Sequence, residues 1–568
     1  MKDEAPIHIE NASGSGSAEG SLEGVVPLAG VLRPRLSKLN MVGFSFAILN
    51  TWICLAATIG IVMPSGGSVA FIYGFVFCTL CNIAITASLG EMASIWPTAG
   101  GQYHFTYSLS SQKWKVITSF CCGWANIAGW LTLVTTEAFF AAQFLSAAAV
   151  IGSGGSYVIE PWKTYLIMVA VSTYGTLVNL FGNSILGRYN DCALYWSVGG
   201  CAVISVVLLA CTGSHNDFTG AEFVFTSFAN ETGYSDGVSW ILGLLQSALS
   251  LIGYDVVLHM TEEMPTPRID APLAMIMAVV VGGVTGTGFI LVMLFCLFDP
   301  SSVFSSQTGQ PITQLMYLVT KSRVGTVIMS VMLSICFFNG TMGCMTSASR
   351  LLYAMARDKG MIFPSFFGRI HRRLDVPIEC IIFVQVFNLI FGLLYLGPTV
   401  AFNAYISSCT ILLNLSYVIP ITVIVARGRS VLTQYQTDET PFKLGKWGWL
   451  CNIVSVIYVF VTNVFFCFPA AIPVNTNNMN YVSAVIGVFV ILLGAYYIFY
   501  GKQFTGPKFE AILETVEHER ELHRNSIDRN MDHVIHGRRN SLDPNENLLL
   551  ALLRHNIGYY NAFWANMT

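Results

Sequence analysis

The chain has 568 residues, of which 54% are hydrophobic and 11% are charged, whereas a typical soluble domain is about 45–50% apolar and about 25% charged. This composition excludes an ordinary soluble globular protein, and a mean hydropathy of +0.60 excludes a disordered or collagen-like chain. A net charge of −3 offers no basic surface for nucleic acid. We therefore expect an all-α, polytopic membrane protein whose main surroundings are the lipid bilayer.

Apolar segments of membrane-spanning length recur along the chain. A bilayer core of about 30 Å requires roughly 20 apolar residues per helix. The sequence predicts twelve such spans, at residues 41–63, 69–95, 116–150, 164–182, 192–211, 239–260, 273–298, 325–348, 378–396, 399–426, 447–470 and 481–500. Residues 1–40 are predicted to form a polar N-terminal tail, residues 41–500 the membrane domain, and residues 501–568 a charged C-terminal tail.

The positions of lysine and arginine orient these spans. If both termini are cytoplasmic, the outer loops contain only Lys163, Lys321 and Arg323, and all other cationic residues between the spans lie in inner loops. This asymmetry obeys the positive-inside rule, so we expect cytoplasmic termini and no cationic side chain within a span. Asn230 would then lie in an outer loop as an N-glycosylation acceptor, although such a sequon can also remain unused.

The 15 cysteines all lie within or at the edge of apolar runs. Cysteines in such positions are typical of small buried residues and not of a secreted disulfide framework. The sequence contains no paired CxxC motifs with zinc-ligand spacing and no HExxH motif. We therefore predict no metal site, no cofactor and no enzymatic activity.

Three separated motifs point to one family. They are SLGEMASIWPTAGGQYHF at residues 88–105, IGYDVVLHMTEEMPTPRIDAP at 252–272 and SASRLLYAMARDKGM at 347–361. In this order they resemble the motifs of the amino acid–polyamine–organocation permeases. Their detailed sequences are similar to those of the fungal branch that contains choline and 4-aminobutyrate permeases. The resemblance covers most of residues 41–500.

The resemblance implies a particular transporter fold. It predicts a five-plus-five inverted repeat of the LeuT-like kind, with the first and sixth spans broken at mid-membrane and two spans added. Irregular backbone at that depth is tolerated only where it lines a cavity or is buried in protein. The half-helix ends then present N–H groups to anions and carbonyl groups to cations.

Asn50, Thr51 and Trp52 stand where the α-amino acid carriers of this family usually have Gly-x-Gly at the first break. This difference argues against the usual site in which backbone N–H groups bind the α-carboxylate of the substrate, because side chains occupy the space that glycines leave open. An indole is a good surface for an organic cation, so the three residues are predicted to bind substrate. Packing against lipid or protein is the alternative for Trp52.

The sixth span contains Gly253, Tyr254, Asp255 and His259. Gly253 and Tyr254 match the unwound segment of the family, where the resemblance implies contact with substrate. Asp255 is predicted to be a countercharge or coupling group, and a role in stabilising the break is the alternative. The spacing of four places His259 on the same helical face, where a structural role competes with proton transfer.

Two further acids and one polar group complete the predicted site. Glu137 lies in the middle of the third span, where an ionisable group is expensive, so it is expected to face a polar cavity, to form hydrogen bonds while protonated or to meet a cation. Proton coupling and pairing with a substrate charge are its candidate functional roles. Glu91 matches a family carboxylate at the inner end of the second span, with capping, gating or coupling as its candidate roles. A group in the eighth span is predicted to line the cavity opposite the first span, with core packing as the alternative; it comprises Phe337, Phe338, Asn339 and Gly340.

Acidic and basic residues also cluster at the predicted inner ends of the sixth and eighth spans. Glu262 and Glu263 face this side in one motif, and Arg350, Arg357 and Asp358 do so in another. They are expected to form an inner gate of ion pairs, although ordinary charged loops would look similar.

These observations predict a secondary carrier of small cationic or zwitterionic amino compounds, such as amino acids, 4-aminobutyrate or choline. We expect alternating access in the plasma membrane, driven by the proton gradient, since the acids Glu91, Glu137 and Asp255 are the only predicted membrane charges. The alternatives are an efflux or vacuolar carrier of a specialised nitrogenous metabolite such as an alkaloid, and a nutrient sensor that has kept the transporter fold.

Overall fold

The structure is a computed structural model that describes residues 38–182, 186–215, 217–397, 401–438, 440–475 and 478–507. Nearly all of the two predicted tails, 1–40 and 501–568, lies outside the described residues. Within the described ranges the regular elements are helices, and the one β-type contact is an isolated bridge between Ser65 and Asn230.

Fifteen helices carry the architecture. They are α1 (Lys38–Leu49), α2 (Thr51–Ala57), α3 (Phe75–Ala93), α4 (Gln102–Leu109), α5 (Lys115–Gly152), α6 (Pro161–Phe181), α7 (Leu186–His215), α8 (Asp236–Leu249), α9 (Val256–His259), α10 (Pro267–Cys296), α11 (Arg323–Arg357), α12 (Ile378–Gly392), α13 (Ala401–Arg427), α14 (Gly448–Phe465) and α15 (Val482–Tyr500). The remaining helical segments are Ile59–Val62, Gly67–Val69, Ala70–Gly74, Ala221–Thr226, Thr261–Glu263, Pro300–Phe304, Pro311–Thr320, Pro364–Phe367, Leu393–Leu396, Ser430–Thr433, Gly445–Trp447 and Gly501–Gln503.

In the described chain, 11 helical segments are long and apolar enough to cross a membrane. They correspond to eleven of the twelve predicted spans. The sixth predicted span, 239–260, instead forms α8 and α9 with irregular backbone between them, so neither piece reaches spanning length. Gly253 lies in this interruption with φ +94°, a conformation that favours glycine because it lacks a Cβ. The protein is an integral multi-pass membrane protein.

The predicted break in the first span is also present, at Asn50. This residue adopts a left-handed conformation with φ 44° and ψ 34° between α1 and α2. Asparagine tolerates this region better than most residues do. Its carbonyl oxygen accepts hydrogen bonds from the N–H groups of Ile53 and Cys54, at 3.0 and 2.8 Å, and so starts α2.

Helix α5 forms the centre of the bundle, where it packs mainly against α11 and α13. Over an 18-residue apolar stretch of α5, 83% of the residues are buried, compared with 6% over such a stretch of the last spanning segment, Val482–Gln503. The last span is therefore peripheral and faces lipid, whereas α5 can place side chains in the interior.

Helix α11 is longer than the span predicted for it. It continues beyond the predicted end at residue 348 as far as Arg357, so it also carries Arg350. Arg350 is buried and forms an ion pair with Glu263, which offsets the cost of removing the guanidinium group from water.

All 15 cysteines are free thiols.

Candidate functional site

A buried polar pair lies at the break between α1 and α2. The side-chain Nδ2 of Asn50 donates a hydrogen bond of 2.7 Å to Glu137 Oε2 on α5 and one of 3.3 Å to the carbonyl oxygen of Cys336 on α11. Asn50 is 1% exposed and Glu137 is 5% exposed. The Oδ1 atom of Asn50 is buried without a hydrogen-bond partner. The break thus holds a carboxylate and a free acceptor away from solvent.

Gly340 on α11 makes this arrangement possible. A Cβ at position 340 would lie 2.1 Å from Glu137 Oε2 and 2.4 Å from Asn50 Nδ2. Both distances are far below van der Waals contact, so any side chain at position 340 would displace the carboxylate or the amide.

The variant Gly340→Ala should therefore transport poorly while still folding. We expect a loss of roughly tenfold in uptake rate, because a methyl group forced into a packed site costs about 1–3 kcal/mol. Uptake and the amount of protein in the membrane are measured together. Gly288→Ala is the matched control, since its added Cβ meets nothing within 4 Å. Equal uptake by both variants would contradict a role for the space at Gly340.

A second polar centre surrounds Asp255, which is fully buried between α8 and α9. Its Oδ1 accepts a hydrogen bond of 2.7 Å from the hydroxyl group of Tyr417 on α13, and this hydroxyl accepts one from the N–H of Gly253. Its Oδ2 accepts from four nitrogen donors: Gln102 Nε2 at 2.6 Å, Asn126 Nδ2 at 3.0 Å, Trp130 Nε1 at 3.1 Å and His259 Nε2 at 3.2 Å. Asp255 therefore joins the break to α4, α5 and α13.

His259 lies next to Asp255. Its Nδ1 is 3.0 Å from the carbonyl oxygen of Ala99, and its Nε2 is 3.2 Å from Asp255 Oδ2. Both ring nitrogens therefore face oxygen atoms in the interior. The structure places Asp255 and His259 side by side, as their spacing of four along the helix predicts.

The two centres lie on the same side of α5. Glu137 is about 10 Å further along this helix than Trp130, at 1.5 Å rise per residue. The space between the centres is apolar, since a Cβ on Gly253 would meet Ile48 at 2.9 Å and Leu133 at 3.5 Å. The Asp255 centre thus lies nearer than the Glu137 centre to the N-terminal end of α5, which is the end that connects to α4.

Ion pairs follow at the far end of α11, as predicted from the charged motifs. Arg357 pairs with Glu262 at 2.6 Å, and Arg350 pairs with Glu263 at 3.3 Å. Asp358 contacts His104 Nε2 at 2.6 Å. Burial opposes ionisation of Asp358, but the neighbouring His104 and then Arg357 hold its pKa below the usual range.

Glu91 is held by a buried arginine that follows α13. Both of its carboxylate oxygens lie 2.7 Å from Arg429 Nη2, and Oε1 also accepts from Gln436 Nε2 and from the N–H of Leu444. The contacts of Glu91 favour the structural role among those predicted, because they fasten the end of α3 to the segment between α13 and α14.

Glu91→Gln should lower stability far more than it alters substrate affinity. Loss of the carboxylate leaves Arg429 buried without a countercharge, which costs about 3–5 kcal/mol. Thermal unfolding of the purified protein in detergent measures this loss. Glu262→Gln removes a more exposed pair, so we expect a change of about 0–1 kcal/mol. Similar melting temperatures for the two variants would contradict the structural role.

The side chain of Trp52 points away from Glu137. Its Nε1 donates a hydrogen bond of 3.1 Å to Ser197 on α7, and its ring packs edge to face on Phe289 of α10, with centroids 4.9 Å apart. Thr51 also faces α10, because a Cβ on Gly282 would lie 2.6 Å from its Oγ1. Substrate contact by Thr51 and Trp52 stays a prediction, and packing accounts for the positions that they hold.

Three other predicted substrate residues also face different neighbours. Phe338 stacks edge to face on Tyr174, and Asn339 Oδ1 accepts a hydrogen bond from Tyr189 OH. The hydroxyl group of Tyr254 donates to Asn82 on α3. The α11 residues that face Asn50 are Cys336 and Gly340. Gly340 belongs to the group predicted to lie opposite the first span, whereas Cys336 was not selected from the sequence.

Asn230 is engaged by its own loop. Its Nδ2 donates to the carbonyl oxygen of Tyr234 and to Asp236 Oδ1, both at 2.8 Å, and its Oδ1 accepts from the hydroxyl group of Thr232. Glycosylation at Asn230 would have to displace the two bonds of Nδ2. The glycan stays a prediction.

The five buried carboxylates of the described residues differ in their partners. They are Glu91, Glu137, Asp255, Glu263 and Asp358. Four of them contact an arginine or a histidine. Within the described part of the chain, Glu137 alone contacts only a neutral donor, the Asn50 amide. This difference in partners distinguishes Glu137 from the other four buried acids.

Comparison with known proteins agrees with this architecture. The sequence profile of the family described as amino acid permease matches residues 39–491. An amino acid/polyamine transporter of Macrophomina phaseolina is 32% identical, over 79% of this chain and 98% of its own length. The choline transporter of Saccharomyces cerevisiae is 30% identical, over 92% of this chain and 89% of its own length.

A plant relative shows the same pattern. An amino-acid permease of Arabidopsis thaliana is 29% identical, over 84% of this chain and 93% of its own length. The family match covers most of the membrane domain, including both helix breaks and α5. The chain therefore belongs to the amino acid permease family of the amino acid–polyamine–organocation superfamily.

Proposed function

We propose that this protein is a secondary carrier of a small amino compound and that Glu137 holds the positively charged nitrogen of that compound. The observation that carries this proposal is the Glu137 carboxylate at the α1–α2 break, buried and without a cationic partner among the described residues. An isolated buried charge is expensive, so its persistence in the bundle interior points to a partner that binds from outside.

The local electrostatics favour a cation over an anion. The C-terminal end of α1 and the N-terminal end of α2 meet at the break with opposite ends of their helix dipoles, so the charge of Glu137 decides the local field. Asn50 Oδ1 adds an acceptor without a partner, which suits the N–H or O–H group of a substrate. A substrate carboxylate placed there would meet Glu137 at short range, so we expect the amine end of the substrate to enter first.

The names of the relatives agree with this chemistry. The yeast relatives are named for choline and for polyamine, compounds that share a positively charged nitrogen. We therefore propose choline, 4-aminobutyrate, polyamines and amino acids as the candidate substrates.

Alternating access would open and close the Asp255 centre. In the present conformation Asp255 and the ion pairs at the end of α11 tie together the elements on one side of Glu137. Breaking these contacts would expose Glu137 from that side, and the charge asymmetry of the loops supports a cytoplasmic position for it. We propose that both termini are cytoplasmic, that the carrier operates in the plasma membrane and that the proton gradient drives it.

Uptake measurements test this proposal. Cells that express the protein are supplied with radiolabelled choline, 4-aminobutyrate, spermidine or an α-amino acid, with and without a protonophore. We expect saturable uptake of at least one of these compounds, abolished by the protonophore. Uptake no higher than in cells without the protein would contradict the carrier, and uptake indifferent to the protonophore would contradict proton coupling.

A further inference from the structure

A groove with a volume of about 840 Å³ lies where the chain between α11 and α12 meets the start of α12. It is separate from both polar centres described above. Arginine residues lie at one end and apolar side chains of α12 at the other. Its lining includes Phe366, Arg369, Arg372, Arg373, Ile382 and Val386.

The arginine end has unused positive charge. Arg372 and Arg373 are exposed and form no ion pair within the described residues. Arg369 uses its Nε to donate to the carbonyl oxygen of Ser365, which leaves its two terminal nitrogens available. Glu379 is the one carboxylate in the lining. Three guanidinium groups against one carboxylate give this end a net attraction for anions.

The other end of the groove is apolar and faces outward from the bundle. Ile382 and Val386 are four residues apart on α12, so they share one face of the helix, and they are 45% and 48% exposed. Phe366, on the preceding linker, is 46% exposed. Because α12 belongs to the spanning segment Ile378–Leu396, this face lies against acyl chains in a bilayer.

We propose that this groove binds an anionic phospholipid, with its phosphate at Arg372 and Arg373 and an acyl chain along Ile382 and Val386. A basic cluster at the end of a span, continuous with a lipid-facing apolar strip, matches both parts of such a lipid. A soluble phosphate compound would use the arginine end alone. The proposal takes the linker to be cytoplasmic, as proposed above, because anionic lipids are concentrated in that leaflet.

Native mass spectrometry of the full-length protein in detergent provides the test. Phosphatidylserine and phosphatidylcholine with identical acyl chains are titrated separately, and bound lipids are counted. We expect phosphatidylserine to bind more tightly, and Arg372→Gln/Arg373→Gln to weaken its binding by roughly thirtyfold, from the contribution expected of basic side chains near anionic lipid.

Lys443→Gln/Lys446→Gln is the matched control, because it removes two exposed charges from another loop on the same proposed side. This control should bind phosphatidylserine as the wild type does. Equal binding of the two lipids by the wild type, or equal loss in both double variants, would overturn the proposal.

A competition arm separates the lipid from a soluble phosphate. Glycerophosphoserine carries the same headgroup without acyl chains, and we expect it to displace phosphatidylserine only at much higher concentration. Displacement at matched concentration would overturn the assignment to a lipid. Because these measurements involve no transported compound, failure of the lipid site and failure of the carrier hypothesis are distinguishable.

Discussion

Asp255→Asn is expected to slow transport by at least roughly tenfold and to loosen the side of the bundle that Asp255 closes. Each hydrogen bond to a charged group contributes about 1.5–3 kcal/mol, and the carboxylate receives five. An asparagine side chain can still accept from the nitrogen donors. Its amide would then face Tyr417 OH, which would lose its acceptor, and His259 would no longer face a carboxylate.

Labelling of Cys122 reports this loosening. Cys122 is buried on α5, one turn before Asn126, and its thiol donates to the carbonyl oxygen of Ser416. We expect maleimide to modify Cys122 faster in Asp255→Asn than in the wild type, as read by mass spectrometry. The exposed Cys192 serves as the internal reference and should react equally in both.

Two further variants distinguish local loosening of the bundle from simple misfolding. Tyr417→Phe removes one of the five hydrogen bonds and should give an intermediate labelling rate. Asp217→Asn alters an exposed acid and should behave as the wild type does. If Cys122 reacts at the wild-type rate in Asp255→Asn and uptake is normal, Asp255 does not control access to the interior.

The sequence was sufficient for the features that depend on a single segment. Long apolar runs predicted eleven of the spanning helices, because length and hydropathy are local properties. The break at Asn50 and the interruption around Gly253 were implied by the resemblance of short motifs to the permease family, and both residues have a positive φ angle. The isolation of Glu137 was also predicted, since no cationic residue occurs in the middle of any predicted span.

Contacts between distant segments were not predictable in this way. Arg429 binds Glu91 although 338 positions separate them along the chain. Gln102, Asn126, Trp130 and Tyr417 converge on Asp255 from three different helices, and only His259 has a helical spacing to it that the sequence reveals. A polar residue within an apolar run was the available signal for Asn126 and Gln102, but it names no partner.

Helical geometry explains why some residues predicted to bind substrate do not face the break. Successive residues in an α-helix are rotated by about 100°, so positions two apart point in nearly opposite directions. Asn50 faces Glu137, whereas Trp52 faces α7 and α10. On α11, Cys336 and Gly340 share the face toward Asn50, and Phe338 points to Tyr174.

Glu137→Gln is expected to weaken equilibrium binding of the transported compound by roughly 100-fold, because loss of one partner from a desolvated charge pair costs about 2–5 kcal/mol. Glutamine is nearly isosteric, and its Oε1 can still accept the hydrogen bond from Asn50 Nδ2. The variant therefore removes the charge with little change in packing. Binding is measured with the radiolabelled compound and purified protein, so no gradient contributes.

The pH dependence of binding separates a countercharge from a structural group. In the wild type, protonation of Glu137 removes the charge that holds the substrate cation, so affinity should fall as the pH is lowered through the pKa of this carboxyl group. In Glu137→Gln the charge is already absent, and affinity should be low and independent of pH over the same range. Glu222→Gln, an exposed acid in the loop between α7 and α8, should keep the wild-type profile.

Each departure from this pattern has a specific meaning. Wild-type affinity and pH profile in Glu137→Gln would show that the substrate nitrogen binds elsewhere. Unchanged affinity together with loss of protonophore-sensitive accumulation would assign Glu137 to proton coupling. The expected combination, weak binding without pH dependence in a stably folded variant, requires that the charge itself contacts the substrate, because the hydrogen bond to Asn50 and the packing around Gly340 are retained.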